Sequence, residues 1–138
     1  IPPRRLTYII TPKGFMEKSR LTMEYLKYSL DFYRSIKTQI EERLVEIESA
    51  GSETLVFYGT GDICELACLF LGETGMTLTA IADDTGTGSV FHMSIIPPEK
   101  LPSVHWDALL ITSLEDVDVK RQRLSELGIE HEKIYTLQ

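Results

Sequence analysis

The feature that most constrains the fold is the run of helix-forming residues between Gly14 and Gly51, which contains no proline or glycine. Thr11 can cap a helix that begins at Pro12, because a proline at the first helical position gives up an amide that would be unpaired anyway. The run therefore predicts either one very long helix or two helices with a bend near residues 20–22.

Apolar side chains recur along this run at spacings of three and four, which is the period of a coiled-coil seam. The series, interrupted only by Lys37, is Met23, Leu26, Leu30, Tyr33, Ile40, Leu44 and Ile47. An unbroken helix over residues 17–49 would be about 50 Å long, more than one small α/β domain can cover. We therefore expect a homodimer through the 21–48 helix, and the alternative is a helix packed only on its own domain. Four of these side chains are expected in one dimer interface: Leu26, Leu30, Ile40 and Leu44.

From Ser52 onward, short apolar runs alternate with helical patterns, which is typical of an α/β fold with a parallel sheet. The expected strands are 54–58, 78–82, a short one within 90–96, 107–112 and 133–137, and the expected helices are 62–73 and 117–127. The predicted fold class is α/β: a long N-terminal dimerisation helix followed by a small Rossmann-like three-layer domain with a mainly parallel sheet.

A glycine turn follows the first predicted strand, with the sequence Gly59-Thr60-Gly61-Asp62-Ile63-Cys64. This matches G-x-G-x-x-G with a small cysteine in the last place. The first glycine permits the sharp turn, and the second lets the backbone approach a phosphate. The amides of residues 61–63 would open a helix, whose N-terminus attracts anions. The carboxylate of Asp62 would lie near the charge of a bound anion. Its alternative role is to cap the helix.

Asp83 ends the second predicted strand, 22 residues after Gly61, where an acidic side chain commonly accepts hydrogen bonds from ribose hydroxyls. Asp83 and its neighbour Asp84 are therefore candidate ligand residues, although both could simply cap a loop. Thr112 and Ser113 follow a later strand and would lie at the same edge of the sheet. The residues after 52 form one half of a dinucleotide fold, and one half seats one mononucleotide. The ligand is not fixed by the sequence, and a nucleotide, NAD(P) or a nucleotide-sugar would fit this pattern.

Composition narrows the classes of function. The net charge of −7 argues against a broad nucleic-acid-binding face, which would need clustered Lys and Arg. No run of residues approaches the length of a membrane span, and no basic leader is present, so we expect no membrane partner and a cytoplasmic location. The three histidines, His92, His105 and His131, have no partner at metal-ligand spacing, and no catalytic nucleophile motif is found. We therefore expect neither a catalytic nor a metal site, which makes an enzyme the less favoured interpretation.

The N-terminal stretch "RRLTYIITPKGFMEKSRLT" resembles the last wing strand and the following helix of MarR-like winged-helix transcriptional regulators. In that family a similar "TP-x-G" ends the DNA-binding unit and leads into a dimerisation helix. The resemblance implies that residues 1–13 are the remnant of a wing and that residues 14–51 are a helical arm. The chain begins at Ile1 rather than at a methionine, and we expect DNA contacts only through a missing N-terminal domain.

The stretch "VFYGTGDICELACLFLGETGMTLTAIADD", followed by "IIPPEKL" and "DALLIT", resembles the small Rossmann-like domain of PglD-type sugar acetyltransferases. This resemblance covers most of residues 54–138, within a predicted nucleotide-binding-type domain at 52–138, and it implies that Gly59, Gly61 and Asp83 contact a nucleotide or sugar. The repeat domain and the catalytic histidine of those enzymes have no counterpart in this sequence.

Together the two resemblances imply the dimerising, effector-sensing C-terminal region of a transcriptional regulator from a polysaccharide biosynthesis gene cluster. Its small-molecule effector would bind at the glycine turn. One alternative is an enzyme or enzyme accessory that acts on a nucleotide-sugar. A second alternative is a scaffold that binds no ligand.

Overall fold

The computed structural model describes the backbone of residues 12–138 and the side chains from Lys18 onward. The chain divides between Ile36 and Lys37 into two compact units. The predicted cap at Thr11 and nearly all of the predicted wing remnant at 1–13 lie outside the described residues.

The predicted long helix is present as one uninterrupted element, α1, which spans Pro12–Ser49. Its length follows from the absence of helix-breaking residues after the first turn. It ends where Gly51 adopts a φ of 96°, a backbone conformation that favours glycine. The division between the two units falls inside this helix, so its last three turns belong to the α/β unit.

The α/β unit contains six strands, two further α-helices and two short 3₁₀ helices. In chain order these are β1 (Thr54–Tyr58), α2 (Asp62–Leu71), β2 (Thr77–Ala82), β3 (Ser89–Val90), β4 (Met93–Ile96), the 3₁₀ helix Pro98–Ser103, β5 (Ala108–Ile111), α3 (Val117–Glu126), the 3₁₀ helix His131–Lys133 and β6 (Ile134–Thr136). The strand order is β3-β4-β2-β1-β5-β6, and every pairing is parallel except that of β3 with β4. The predicted long N-terminal helix and small, mainly parallel α/β layout are therefore confirmed, and most element ends lie within two residues of their predicted positions.

The expected single strand within 90–96 is instead a hairpin. Val90 pairs with Met93, so only Phe91 and His92 form the turn, with φ values of 46° and 69°. Positive φ at both central residues is the condition of a type I′ hairpin turn, which usually contains Asn-Gly. The chain continues from β4 in parallel with β2, which extends the sheet by one strand.

Both faces of the central sheet are covered. One face carries a cluster of buried side chains from the strands together with Leu101, Trp106 and Leu124. Successive strand residues point to opposite faces, so Leu55 and Phe57 lie on the other side. The α/β unit also buries side chains of α2 and of the last three turns of α1: Cys64, Ala67, Leu71, Ile40, Leu44 and Ile47. The strands read as continuous apolar runs because they are buried on both faces.

Candidate functional site

The glycine turn lies at the point where the order of the sheet reverses. β1 pairs with β2 on one side and with β5 on the other. The loop after β1 and the loop after β5 therefore begin on neighbouring strands at the carboxyl edge. In open α/β sheets, ligands bind in the crevice outside this edge, at such a switch point. The residues predicted from the sequence as ligand contacts are thus brought to one region of the fold.

At Gly59 the loop after β1 contacts the loop after β5. Gly59 has a φ of 122°, and a Cβ at this position would lie 3.2 Å from the Thr112 carbonyl oxygen. The Thr112 hydroxyl is buried and donates a hydrogen bond of 2.6 Å to the Gly59 carbonyl oxygen. On the other side, the Gly59 amide donates to the carbonyl oxygen of Ala82 at 2.9 Å. The space beside Gly59 is therefore filled by the Thr112 backbone and is not open to a ligand. The Thr112 hydroxyl is already hydrogen-bonded to the Gly59 carbonyl oxygen.

Gly61 differs from Gly59 because the space around it is open. It has a φ of 117°, and a Cβ built there would meet nothing within 4 Å. Gly61 is the N-cap of α2, and no side chain caps it. The first turn of α2 therefore has no side-chain cap, and free amides at a helix start are the groups that bind anions. The first turn also carries the carboxylates of Asp62 and Glu65, whose negative charge opposes an anion at this position.

Asp83 joins the glycine turn to the loop after β2. Its Oδ1 accepts a hydrogen bond of 3.3 Å from the Thr60 amide, and its Oδ2 accepts from the amide and the hydroxyl of Thr85 at 3.1 and 2.7 Å. Burial raises the pKa of Asp83, but the hydrogen bonds from Thr85 and Thr60 outweigh it, so the pKa lies below its ordinary value. A carboxylate offers about four acceptor positions, so about one remains for a ribose hydroxyl.

Asp84 belongs to a second network on the same edge. Its Oδ1 accepts a hydrogen bond of 2.6 Å from the hydroxyl of Tyr58, the last residue of β1. Burial and this hydrogen bond raise the pKa of Tyr58 far above its ordinary value. The guanidinium of Arg123 lies 3.9 Å from Asp84, and the ammonium of Lys120 lies 5.5 Å from the centre of the Tyr58 ring. These two α3 cations were not predicted from the sequence, because only the packing of α3 places them here.

Ser113 lies next to Gly59, where an added Cβ would be 3.4 Å from the Ser113 Cβ, and it also borders a cavity. Its hydroxyl accepts from the Glu115 amide at 3.1 Å and donates to the Glu115 carbonyl oxygen at 3.0 Å. The neighbouring cavity of about 570 Å³ is bounded by the start of α3 and the end of β6. Polar groups of Ser113, Asp118 and Arg121 line it, and the glycine turn does not contribute to it.

The two cysteines lie one turn apart on α2, and both are free thiols. The interaction with the Cys68 thiol, together with burial, raises the pKa of Cys64 far above its ordinary value, and the same interaction lowers the pKa of Cys68. Cys64 is fully buried, so it acts as a small packing residue in the place of the third motif glycine.

The predicted seam of α1 is divided into two parts. Ile40, Leu44 and Ile47 are at most 1% exposed within the single chain, so this part of the expected dimer interface is wrong: the side chains are already covered by the chain's own α/β unit. The remaining apolar residues of the seam, Met23, Leu26, Leu30 and Tyr33, are 39–65% exposed. These four residues are called the leucine seam below.

A second exposed apolar stripe, not predicted from the sequence, runs along the same helix. It consists of Leu21, Tyr25, Tyr28 and Phe32, which are 50–70% exposed and are called the aromatic seam below. With a rotation of about 100° per residue, the centre of the aromatic seam lies about 150° around the helix axis from the centre of the leucine seam. Its spacing of four, three and four residues is also a heptad pattern, which was the signal that would have revealed it.

Comparison of the sequence with protein-family models found no match, and comparison with curated proteins found none either. Within residues 12–138, no group of three or more His, Cys, Asp or Glu side chains is placed to hold a metal ion. None of the helices in the described part of the chain has the length and apolar character needed to cross a membrane.

Proposed function

We propose that this chain is the dimerising, effector-sensing C-terminal region of a transcriptional regulator, and that the glycine turn binds a nucleotide or nucleotide-sugar. The observation that carries the ligand proposal is Gly61: a glycine with positive φ, open space around it, and uncapped helix amides beside it at the switch point of the sheet. Asp83 fixes the neighbouring loop and keeps one acceptor position.

The regulator part of the proposal is supported by the wing-like N-terminal sequence and by the exposed leucine seam. DNA would be contacted only through an N-terminal domain, since the net charge of −7 disfavours a nucleic-acid face on this chain. Two copies would associate through the leucine seam. An effector would change DNA binding only if it binds one arrangement of the two copies more tightly than another.

The ligand proposal is tested by thermal unfolding in the presence of NAD(H), NADP(H), ATP, GTP, UDP-sugars and cyclic nucleotides. A ligand at 100 times its dissociation constant should stabilise the chain by about 2.7 kcal/mol, which shifts the melting temperature by several degrees. Gly61→Ala should abolish this shift because a side chain enters the space in front of the helix amides and strains the turn.

The matched control is Gly51→Ala. Gly51 also has a positive φ, of 96°, and open space around it, but it lies at the end of α1. Both variants should lose similar stability from backbone strain, whereas only Gly61→Ala should lose the ligand-induced shift. If no compound shifts the melting curve, or if Gly61→Ala responds like the wild type, the scaffold interpretation replaces this one. Conversion of a nucleotide-sugar during the incubation would favour the enzyme instead.

The dimer is tested by sedimentation of the wild type and of two double variants. The wild type should sediment at about twice 15.7 kDa. Leu26→Asp with Leu30→Asp should give monomers, because charges replace apolar contacts in the middle of the leucine seam. Tyr25→Asp with Tyr28→Asp makes the same change on the aromatic seam and should leave the dimer intact. A wild-type monomer at high micromolar concentration contradicts the dimer, and a monomer only in the tyrosine variant reassigns the interface to the aromatic seam.

A further inference from the structure

The charges that flank the leucine seam are arranged asymmetrically. In heptad notation, Met23 and Leu30 are a positions and Leu26 and Tyr33 are d positions. The e positions beside them are all basic, and the g positions of the exposed part are small and uncharged. The e residues are Arg20, Lys27 and Arg34, and the g residues are Thr22 and Ser29.

This asymmetry distinguishes the two ways in which identical helices can pair. In a parallel pair, each e residue faces a g residue of the other helix, so Lys27 meets Thr22 and Arg34 meets Ser29. In an antiparallel pair, e residues face e residues, so Lys27 would face Lys27 and Arg20 would face Arg34 of the second copy. Like charges in direct opposition are destabilising, and they select against the wrong partner arrangement.

A shifted antiparallel alignment does not remove the conflict. The nearest acidic e position is Glu41, and pairing it with Arg34 would bring residues after 36 into the interface. The apolar residues there, Ile40 and Leu44, are already buried within the single chain. The acidic neighbours Glu24 and Asp31 lie at b positions, where they pair with Arg20 at 3.0 Å and with Arg34 at 3.9 Å along the same helix.

We propose that the leucine seam associates with the leucine seam of a second copy of this chain, with the two helices parallel and in register. This inference rests on the dimer of the proposed function and adds its orientation. The consequence is that equivalent residues of the two copies face each other along the seam, so any domains that precede the helices would emerge at the same end of the pair.

The orientation is tested by cross-linking in the full chain with Cys64→Ala and Cys68→Ser, after sedimentation confirms that this background associates like the wild type. Ser19 and Lys37 extend the d and a positions at the two ends of the seam. In a parallel pair, Ser19→Cys should cross-link to itself with a short bismaleimide. In an antiparallel pair the two Ser19 positions would be about 27 Å apart, and only a mixture of Ser19→Cys and Lys37→Cys chains would cross-link.

Ser35→Cys is the matched control, because Ser35 is exposed and lies at an f position away from the seam. It should give no cross-linked species. Self-cross-linking of Ser19→Cys well above this control supports the parallel pair. Cross-linking only in the mixture overturns the orientation but leaves the dimer. A dimer by sedimentation without either cross-link overturns the seam, and a monomer by sedimentation contradicts the dimer itself.

A second measurement tests the charge argument directly. Chains with Lys27→Glu and Arg34→Glu are mixed with wild-type chains, and the species are separated by charge after exchange. In the parallel pair the altered residues still face Thr22 and Ser29, so mixed dimers should form at about the statistical half. In an antiparallel pair, acidic e positions would face basic ones, and mixed dimers would strongly predominate, which would overturn the proposal.

Discussion

The two parts of α1 carry the same apolar period but have opposite environments. Between Ile40 and Ile47 the seam residues are at most 1% exposed, whereas the leucine seam is 39–65% exposed. The spacing of apolar residues by three and four positions therefore identifies the apolar face of the helix, but not the surface that covers this face. One part forms the core of its own unit, and the other has no covering surface among the described residues of a single chain.

The polar contacts of α1 divide in the same way. In the buried part, Arg43 donates to the Thr136 carbonyl oxygen at 2.8 Å, and Glu48 accepts from the Gly75 amide at 2.8 Å. Each of these contacts joins residues that are far apart in sequence. In the exposed part, the ion pair of Arg20 with Glu24 is within one turn of the helix. The buried part therefore has long-range partners in addition to the local pair of Arg43 with Glu46, whereas the pairs of the exposed part are local.

The largest expected effect comes from truncating one leucine in each part. Leu44→Ala should lower the free energy of unfolding by about 3 kcal/mol, because it removes buried methyl groups and leaves a cavity. Leu30→Ala changes an exposed side chain and should cost less than about 0.5 kcal/mol in dilute protein. Urea denaturation at two protein concentrations measures both effects.

The concentration dependence sharpens the comparison. The loss in Leu44→Ala should be the same at both concentrations, because the contact is within one chain. The loss in Leu30→Ala should grow at the higher concentration, where the wild type gains stability from association. Equal losses of stability by both variants in dilute protein would contradict the difference between a buried Leu44 and an exposed Leu30.

The sequence predicted the elements of the fold because their signals are local. The absence of proline and glycine after Gly14 predicted α1, and continuous apolar runs predicted the buried parallel strands. The hairpin turn was not predicted, because Phe91 and His92 are not residues that usually adopt positive φ. The division of the seam was not predicted either, since Leu30 and Leu44 occupy equivalent heptad positions and only the packing of the sheet distinguishes them.

The candidate site was predicted as a region but not in its detail. Gly59, Asp83 and Thr112 were expected at one edge because carboxyl ends of parallel strands share an edge. No pattern in the sequence indicated that the Thr112 hydroxyl would donate to the Gly59 carbonyl oxygen. The sequence also did not reveal that Asp83 would bind both Thr60 and Thr85. Such contacts depend on distances between loops, which have no local sequence signal.

A smaller effect is expected from two of the three arginines of α1, Arg34 and Arg43. Each lies three residues from an acidic partner: Arg43 with Glu46 at 2.8 Å, and Arg34 with Asp31 at 3.9 Å. Arg43→Ala should lower the free energy of unfolding by about 1 kcal/mol, because the hydrogen bond to the Thr136 carbonyl oxygen is lost. Arg34→Ala should cost about 0 to 0.5 kcal/mol, since it loses only an exposed ion pair. Equal losses by urea denaturation would show that the contact with β6 adds nothing.

A further small effect tests whether the same distinction, between groups that have partners inside the chain and groups that do not, holds at the glycine turn. Asp83→Asn should lower the free energy of unfolding by about 0.5–1 kcal/mol at pH 7, at the low end for charged hydrogen bonds because Asp83 is partly exposed. A carboxyl group whose pKa is lowered by folding stabilises the protein above its unfolded pKa of about 3.9, and this contribution is lost as the pH falls through the folded pKa. The difference between wild type and variant should therefore be constant near neutral pH and disappear in acid.

Asp107→Asn is the control, because hydrogen bonds from the amides of Glu53 and Thr54 lower the pKa of Asp107 as well, but at the opposite end of β1. Both variants should show the same pH dependence in chemical denaturation, and only Asp83→Asn should reduce the melting shift produced by a ribose-containing ligand. An equal reduction in Asp107→Asn would mean that general stability, not the carboxylate at the turn, determines the response.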